Sequence, residues 1–209
     1  MKLIDAINNL EGESPIRIPN TFRCDFPDFL VEMGYKVGAE IGVYKAQFTD
    51  LFCKAGLKMY AIDPWKAYAG AGRTQKAQDR QDFLYSHACR VLAPYSNCTI
   101  IRKSSMDALS DFKDGSLDFV YIDADHTFRY VAEDIVEWEK KVRKGGIVSG
   151  HDYFTTIPEA RNVICHVEVI VDAYVRAFNI EKFYIFGKAI PGEEKTKDDK
   201  YPSWMWIKK

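Results

Sequence analysis

Two stretches of the chain end an apolar run on acids and imidazoles. "LDFVYIDADHTFRYV" (117–131) passes from strand-like residues into Asp123, Asp125 and His126, and "GIVSGHDYF" (146–154) stops in the same way at His151 and Asp152. A carboxylate directly after an apolar strand is partly desolvated and needs a cation or a donor. Asp123 and Asp152, with His151, can therefore hold a hard divalent ion, or His126 or His151 can take a proton from a hydroxyl as general base. Residue type alone leaves both chemistries open. Asp125 and Thr127 stand where helix N-caps fall, and Ser104 and Ser105 in "IRKSSMDAL" read first as caps too. His87 and His166 read as structural residues within helices.

Further chemistry-bearing positions lie earlier in the chain. In "GAEIGVYKAQF" (38–48) a strand passes through Gly42 into a helix, a turn that lets backbone approach a ligand, although the dinucleotide fingerprint G-x-G-x-x-G is absent. Asp63 in "YAIDPW" ends the next strand, where a carboxylate can accept both hydroxyls of a ribose. Trp65 beside it offers a flat face for a base or substrate, or simply packs.

The elements that position these residues follow from periodicity. Helical spacing of apolar residues marks 2–10 and 25–33. Strands "KVGAEIGV", "LKMYAID", "CTIIRK", "LDFVYID" and "GIVSG" then alternate with helices. The second of those helices carries Phe83, Leu84, Ala88, Val91 and Leu92 on one face. The third carries Phe128, Val131, Ile135, Trp138 and Val142, with Gly145-Gly146 as its stop. A last helix spans 161–178, its 3.6-residue period overriding its β-branched content. "EKFYIFGK" and "SWMWIKK" read as an antiparallel pair joined by a charged loop. Nearly continuous apolar strands in β-α alternation imply a parallel sheet covered on both faces, with ligands outside the carboxyl ends of its strands. Asp63, Asp123 and His151 should face that one crevice.

Composition narrows the partners. The chain of 209 residues fits one domain, with N-terminal helices over 1–36, a core over 37–188, and a loop with final strand over 189–209. A net charge of −1 without a Lys/Arg stripe argues against nucleic acid, and no [ND]-P-P-[YFW] tetrapeptide occurs. Five scattered cysteines suit reduced thiols, not zinc. No window approaches the ~18 apolar residues of a spanning helix. These features predict a cytoplasmic protein with a small-molecule partner and no membrane contact. The tail "SWMWIKK" has aromatics that can pack within the sheet or across a homodimer.

The segments "VGAEIGVYKAQFTDLF", "YAIDPW", "RVLAPYSNCTIIRKSSMDA", "DGSLDFVYIDADHTFRYVAEDIVEW" and "VRKGGIVSGHDY", in this order, resemble the class I S-adenosylmethionine-dependent methyltransferases, in particular the methyltransferase-24-like small-molecule branch. The resemblance covers roughly residues 26–154. It implies a Rossmann-like α/β fold with a seven-stranded, mostly parallel sheet, the last strand antiparallel, and helices on both faces. It also implies S-adenosylmethionine as cofactor and an oxygen, less often a nitrogen, as acceptor. Glu40 and Gly42, with Val43 and Tyr44 in the same loop, would lie against the methionine part. Asp63 would take the ribose hydroxyls, beside Trp65, while Ser105 and Met106 would flank the adenine and Asp123 would lie beneath the sulfonium. Related catechol-type enzymes hold magnesium at positions matching Asp123, His151 and Asp152; a histidine where an oxygen ligand is usual departs from that pattern. Ala46 departs too, standing for the last small glycine. An NAD(P)-dependent oxidoreductase and a non-catalytic cofactor-binding module are the rival readings. The acceptor's walls are expected in the N-terminal helices, in "KAYAGAGRTQ" and in the loop 189–202.

Overall fold

The computed structural model describes residues 2–67, 75–156, 164–187 and 201–209. Its helices are α1 (Leu3–Asn9), α2 (Phe26–Glu32), α3 (Gln47–Lys54), α4 (Gln75–Leu92), α5 (Ser105–Ala108), α6 (Phe128–Lys141) and α7 (Val167–Ala177). Its strands are β1 (Ile16–Arg17), β2 (Val37–Ile41), β3 (Lys58–Ile62), β4 (Cys98–Ile101), β5 (Leu117–Ile122), β6 (Val142–Gly150), β7 (Phe183–Phe186) and β8 (Ser203–Ile207). They form one sheet in the order β1-β7-β8-β6-β5-β2-β3-β4. Only β8 runs antiparallel to its neighbours, β6 and β7. The expected α/β architecture is present, with one addition: β1 pairs in parallel with β7 at the sheet edge. Two residues carry no readable period, so that strand had no signal in the sequence.

Strand alternation divides the core in two. On β5, Phe119 and Tyr121 join Phe26, Phe29, Phe48 and Phe52 on one face, while Val120 and Ile122 join Ile135, Trp138 and Val171 on the other. β8 follows the same rule, with Met205 toward the first layer and Trp204 and Trp206 toward the second. All three tail residues are buried within the sheet, so their packing is satisfied inside the chain.

Three sequence expectations need correction. Phe83 and Phe128 are 63% and 60% exposed, because they fall at the edges of the apolar stripes of α4 and α6. Gly145-Gly146 does not stop α6. The helix ends at Lys141 and β6 begins at Val142, with the glycines inside an irregular stretch where a Cβ on Gly146 would lie 2.4 Å from Asp118 O. The last helix starts at Val167. Ile164 and Cys165 precede it, residues 161–163 lie outside the described part, and His166 is its N-cap residue with Nδ1 accepting from Phe128 N at 3.1 Å.

The sheet reverses direction of growth at β2: the chain goes from β2 to β3 and β4 on one side, then to β5 and β6 on the other. Such a switch point opens a crevice at the strand ends. The backbone ladder continues one residue beyond each strand. Asp63 N bonds Ile101 O at 3.3 Å, Gly42 N bonds Ile62 O at 2.9 Å, Asp123 N bonds Ile41 O at 2.8 Å and His151 N bonds Ile122 O at 3.0 Å. Asp63, Gly42, Asp123 and His151 thus stand in a row along the carboxyl edge.

Candidate active site

A cleft of about 520 Å³ opens at this edge, lined among others by Gly42, Tyr44, Asp63, Met106, Asp123 and Asp134. Its floor is backbone. Gly42 has φ +91°, and a Cβ there would sit 2.2 Å from Asp123 O, so only glycine lets the loops after β2 and β5 come together. The loop that follows is strained: Tyr44 and Ala46 both have positive φ, at 52° and 61°. The departure to Ala46 therefore falls at a left-handed residue, where glycine would be free of the Cβ penalty.

Asp63 holds that loop. Its Oδ2 accepts from Val43 N at 3.0 Å and Tyr44 N at 2.9 Å, and its Oδ1 accepts from Trp65 N at 2.7 Å. Oδ2 is thereby filled, and Oδ1 keeps one acceptor site for a hydroxyl facing the cleft. Trp65 is different from the expectation. It is 1% exposed, its indole N–H donates to Tyr44 O at 3.0 Å and its ring lies 5.0 Å from that of Tyr85. The indole is a buried prop under the loop and leaves no face for a base.

Ser104 caps α5, accepting from Asp107 N at 3.2 Å. Ser105 instead turns inward, donating to Asp134 and accepting from Trp138 Nε1 at 2.7 Å. Met106 lines the cleft beside it. Asp134 was not singled out from the sequence. An acid at that position interrupts the stripe Val131, Ile135, Trp138, which was the available signal. Burial pushes its carboxyl up to about 7 against the opposing Ser105 bond. Glu40, 2% exposed, accepts from Thr49 Oγ1 and is likewise pushed up to about 8 by burial, against that bond and the nearby Arg23.

Beyond Asp123 the site is built from side chains. His126 Nε2 lies 3.0 Å from Asp152 Oδ2 and 3.6 Å from Asp123 Oδ1. His151 Nδ1 lies 3.1 Å from Asp152 Oδ1 and 4.0 Å from Asp123 Oδ2. Despite these distances, neither His126 Nε2 nor Asp152 Oδ1 makes an aligned hydrogen bond, and both are buried. Asp152 has φ 57°, a strained conformation that turns its carboxylate in between the two imidazoles. Burial disfavours the His126 cation, but Asp123 and Asp152 outweigh it and raise the imidazole above its ordinary range. Asp123 is held below the usual carboxylate range: burial opposes this, and His126, Arg23 and His151 overcome it. Asp125 accepts from Thr127 N at 2.8 Å and shapes the turn, while Thr127 is the N-cap residue of α6 without a side-chain cap bond.

Asp123, His126 and Asp152 bring ligand atoms within 4.8 Å of one another. This differs from the expected trio of Asp123, His151 and Asp152, because the turn after β5 carries His126 back over Asp123. Two misaligned buried polar atoms in that trio fit a divalent ion. Arg23 was also missed: its Nη2 donates to Asp123 Oδ2 at 2.6 Å from a turn just before α2. No spacing rule pointed to it.

With this geometry in place, the comparisons decide the family. Residues 36–153, more than half of the chain, match the methyltransferase-24 family model, described as a methyltransferase domain. The chain belongs to this methyltransferase family. No curated protein sequence matches it. Among solved structures, an O-methyltransferase from Bacillus cereus in complex with S-adenosylhomocysteine superposes with TM-score 0.58 at 16% identity, covering 98% of this chain and 87% of that one. The O-methyltransferase TomG from Streptomyces achromogenes, involved in tomaymycin synthesis and solved with S-adenosylmethionine, gives 0.60 at 11% identity over 90% and 79%. The N-methyltransferase NodS from Bradyrhizobium japonicum gives 0.57 at 12% over 89% and 94%. At these identities the likeness is one of fold. Among the described residues, no helix of this methyltransferase is long and apolar enough to cross a membrane.

Proposed function

We propose that this methyltransferase passes the methyl group of S-adenosylmethionine to an oxygen of a small molecule. The observation that carries the reading is the row of strand-end residues. It joins a cleft able to take an adenosine (Asp63, Ser105, Met106) to an acid-imidazole cluster (Asp123, His126, Asp152, His151) at one switch point. Glu40, Gly42, Val43 and Tyr44 line the path toward the methionine part.

The cofactor carries the activated methyl group, so the protein must align the acceptor and remove its proton. His126 in its neutral form is the group we assign to that removal, steered by Asp152 at 3.0 Å; since the two carboxylates favour its cation, turnover rises with pH as the imidazole deprotonates. The acceptor O–H would give its proton to the imidazole, and bound S-adenosylmethionine would supply the methyl for the new O–CH3 bond as its S–CH3 bond breaks, leaving as a neutral thioether. A divalent ion held by Asp123, His126 and Asp152 would instead lower the acceptor hydroxyl's pKa as a Lewis acid. An imidazole ligand favours a transition ion over magnesium.

Incubation with methyl-labelled S-adenosylmethionine and a panel of phenols, sugars and hydroxy acids, each with and without chelator, tests the reading. Label on an oxygen is the expected result. Label only on amines would turn the acceptor class to nitrogen, and binding of NAD in place of S-adenosylmethionine would favour an oxidoreductase.

A further inference from the structure

Arg23 lies outside the segment that defines the family, yet it touches the residue at the centre of the site. A second cleft, of about 320 Å³, shares Gly42, Tyr44, Asp123 and Ala124 with the first and continues past Arg23 and Phe48. The shared walls make one path with Asp123 midway. S-adenosylmethionine has the matching shape: an adenosine on one side of the sulfonium and, on the other, a short chain ending in an α-ammonium and an α-carboxylate. With the adenosine in the larger cleft, the amino-acid end falls in the smaller one.

The smaller cleft has the chemistry for a zwitterion. Arg23 and Asp123, 2.6 Å apart, present a cation and an anion side by side. The planar guanidinium matches a carboxylate fork. It is also fixed in place, with Cζ 4.1 Å from the Phe48 ring centroid and 5.1 Å from that of Tyr121. Burial opposes the Arg23 charge, and the Asp123 carboxylate beside it compensates. The same cleft meets the first turn of α3, whose N-cap residue Ala46 offers no side-chain cap.

We infer that Arg23 binds the α-carboxylate of S-adenosylmethionine, with Asp123 turned to the α-ammonium, a role that rests on the cofactor reading above. The N-terminal segment then closes the cofactor site from outside the family core.

Calorimetric titration with S-adenosylhomocysteine and with 5′-methylthioadenosine, which lacks the amino-acid end, tests this on wild type, Arg23→Gln and Arg23→Lys. The Gln variant is expected to bind S-adenosylhomocysteine about tenfold or more weakly, with methylthioadenosine affinity unchanged and partial recovery in the Lys variant. Equal losses for both ligands would make Arg23 a structural support and overturn the inference. No loss for either would overturn it too, including the case in which Arg23 meets a carboxylate on the acceptor. Failure of wild type to bind S-adenosylhomocysteine at all would overturn the cofactor reading itself.

Discussion

The two ends of the row along the sheet's carboxyl edge are built differently. The cofactor end is mostly backbone: a glycine at φ +91°, a loop held by two N–H bonds to Asp63, and strand ends in register. The acid-imidazole end is mostly side chain: Asp123, His126, His151 and Asp152, drawn from two turns and joined by Arg23 from a third segment. Backbone geometry is shared by a whole fold, whereas a cluster of side chains can change with the acceptor. One end therefore carries what the family has in common, and the other what this chain does with it.

Substitutions can break that division, beginning with the residue that serves both ends. Gly42→Ala places a Cβ against Asp123 O in a left-handed conformation and should cost about 3 kcal/mol or more. Chemical denaturation should show the loss, and cofactor binding and turnover should fall together. His126→Ala should separate the ends, lowering turnover by about 10²- to 10⁴-fold, with S-adenosylhomocysteine affinity in titration little changed. Asp63→Asn should do the reverse. Loss of charge-assisted bonds to the loop should weaken cofactor binding by about 10- to 100-fold, with turnover at saturating cofactor largely kept.

Glu40→Gln should have the smallest effect at neutral pH, since burial keeps Glu40 mostly protonated there. Its carboxyl titrates near 8 folded against 4.5 ordinarily, so the native state holds a proton that the unfolded chain has lost. Stability from this group is therefore full below pH 4.5 and is lost as pH rises through about 8, at no more than about 1.4 kcal/mol per pH unit. Urea denaturation at pH 5 and pH 8 should show this decline in wild type and a flatter profile in the variant.

The contrast between the ends also explains what the sequence disclosed. Strand ends were readable because an apolar run that stops at an acid has one physical meaning, and this placed Asp63, Asp123 and His151 along one edge. Gly42 was readable as a close approach, although its nearest neighbour is Asp123 O and not a ligand. Trp65 misled, since indole burial depends on Tyr44 and Tyr85, which no local pattern brings together. The partnership of His126 with Asp152 and the arrival of Arg23 at Asp123 depend on tertiary contacts between distant segments. Two expected acceptor walls fall largely on residues 68–74 and 189–200, outside the described part.

The central claim is that the switch-point cleft holds an adenosylated methyl donor. The most direct test is calorimetric titration of the wild-type protein with S-adenosylhomocysteine and, separately, with NAD. The account predicts stoichiometric binding of the first and none of the second. Binding of NAD alone would contradict it.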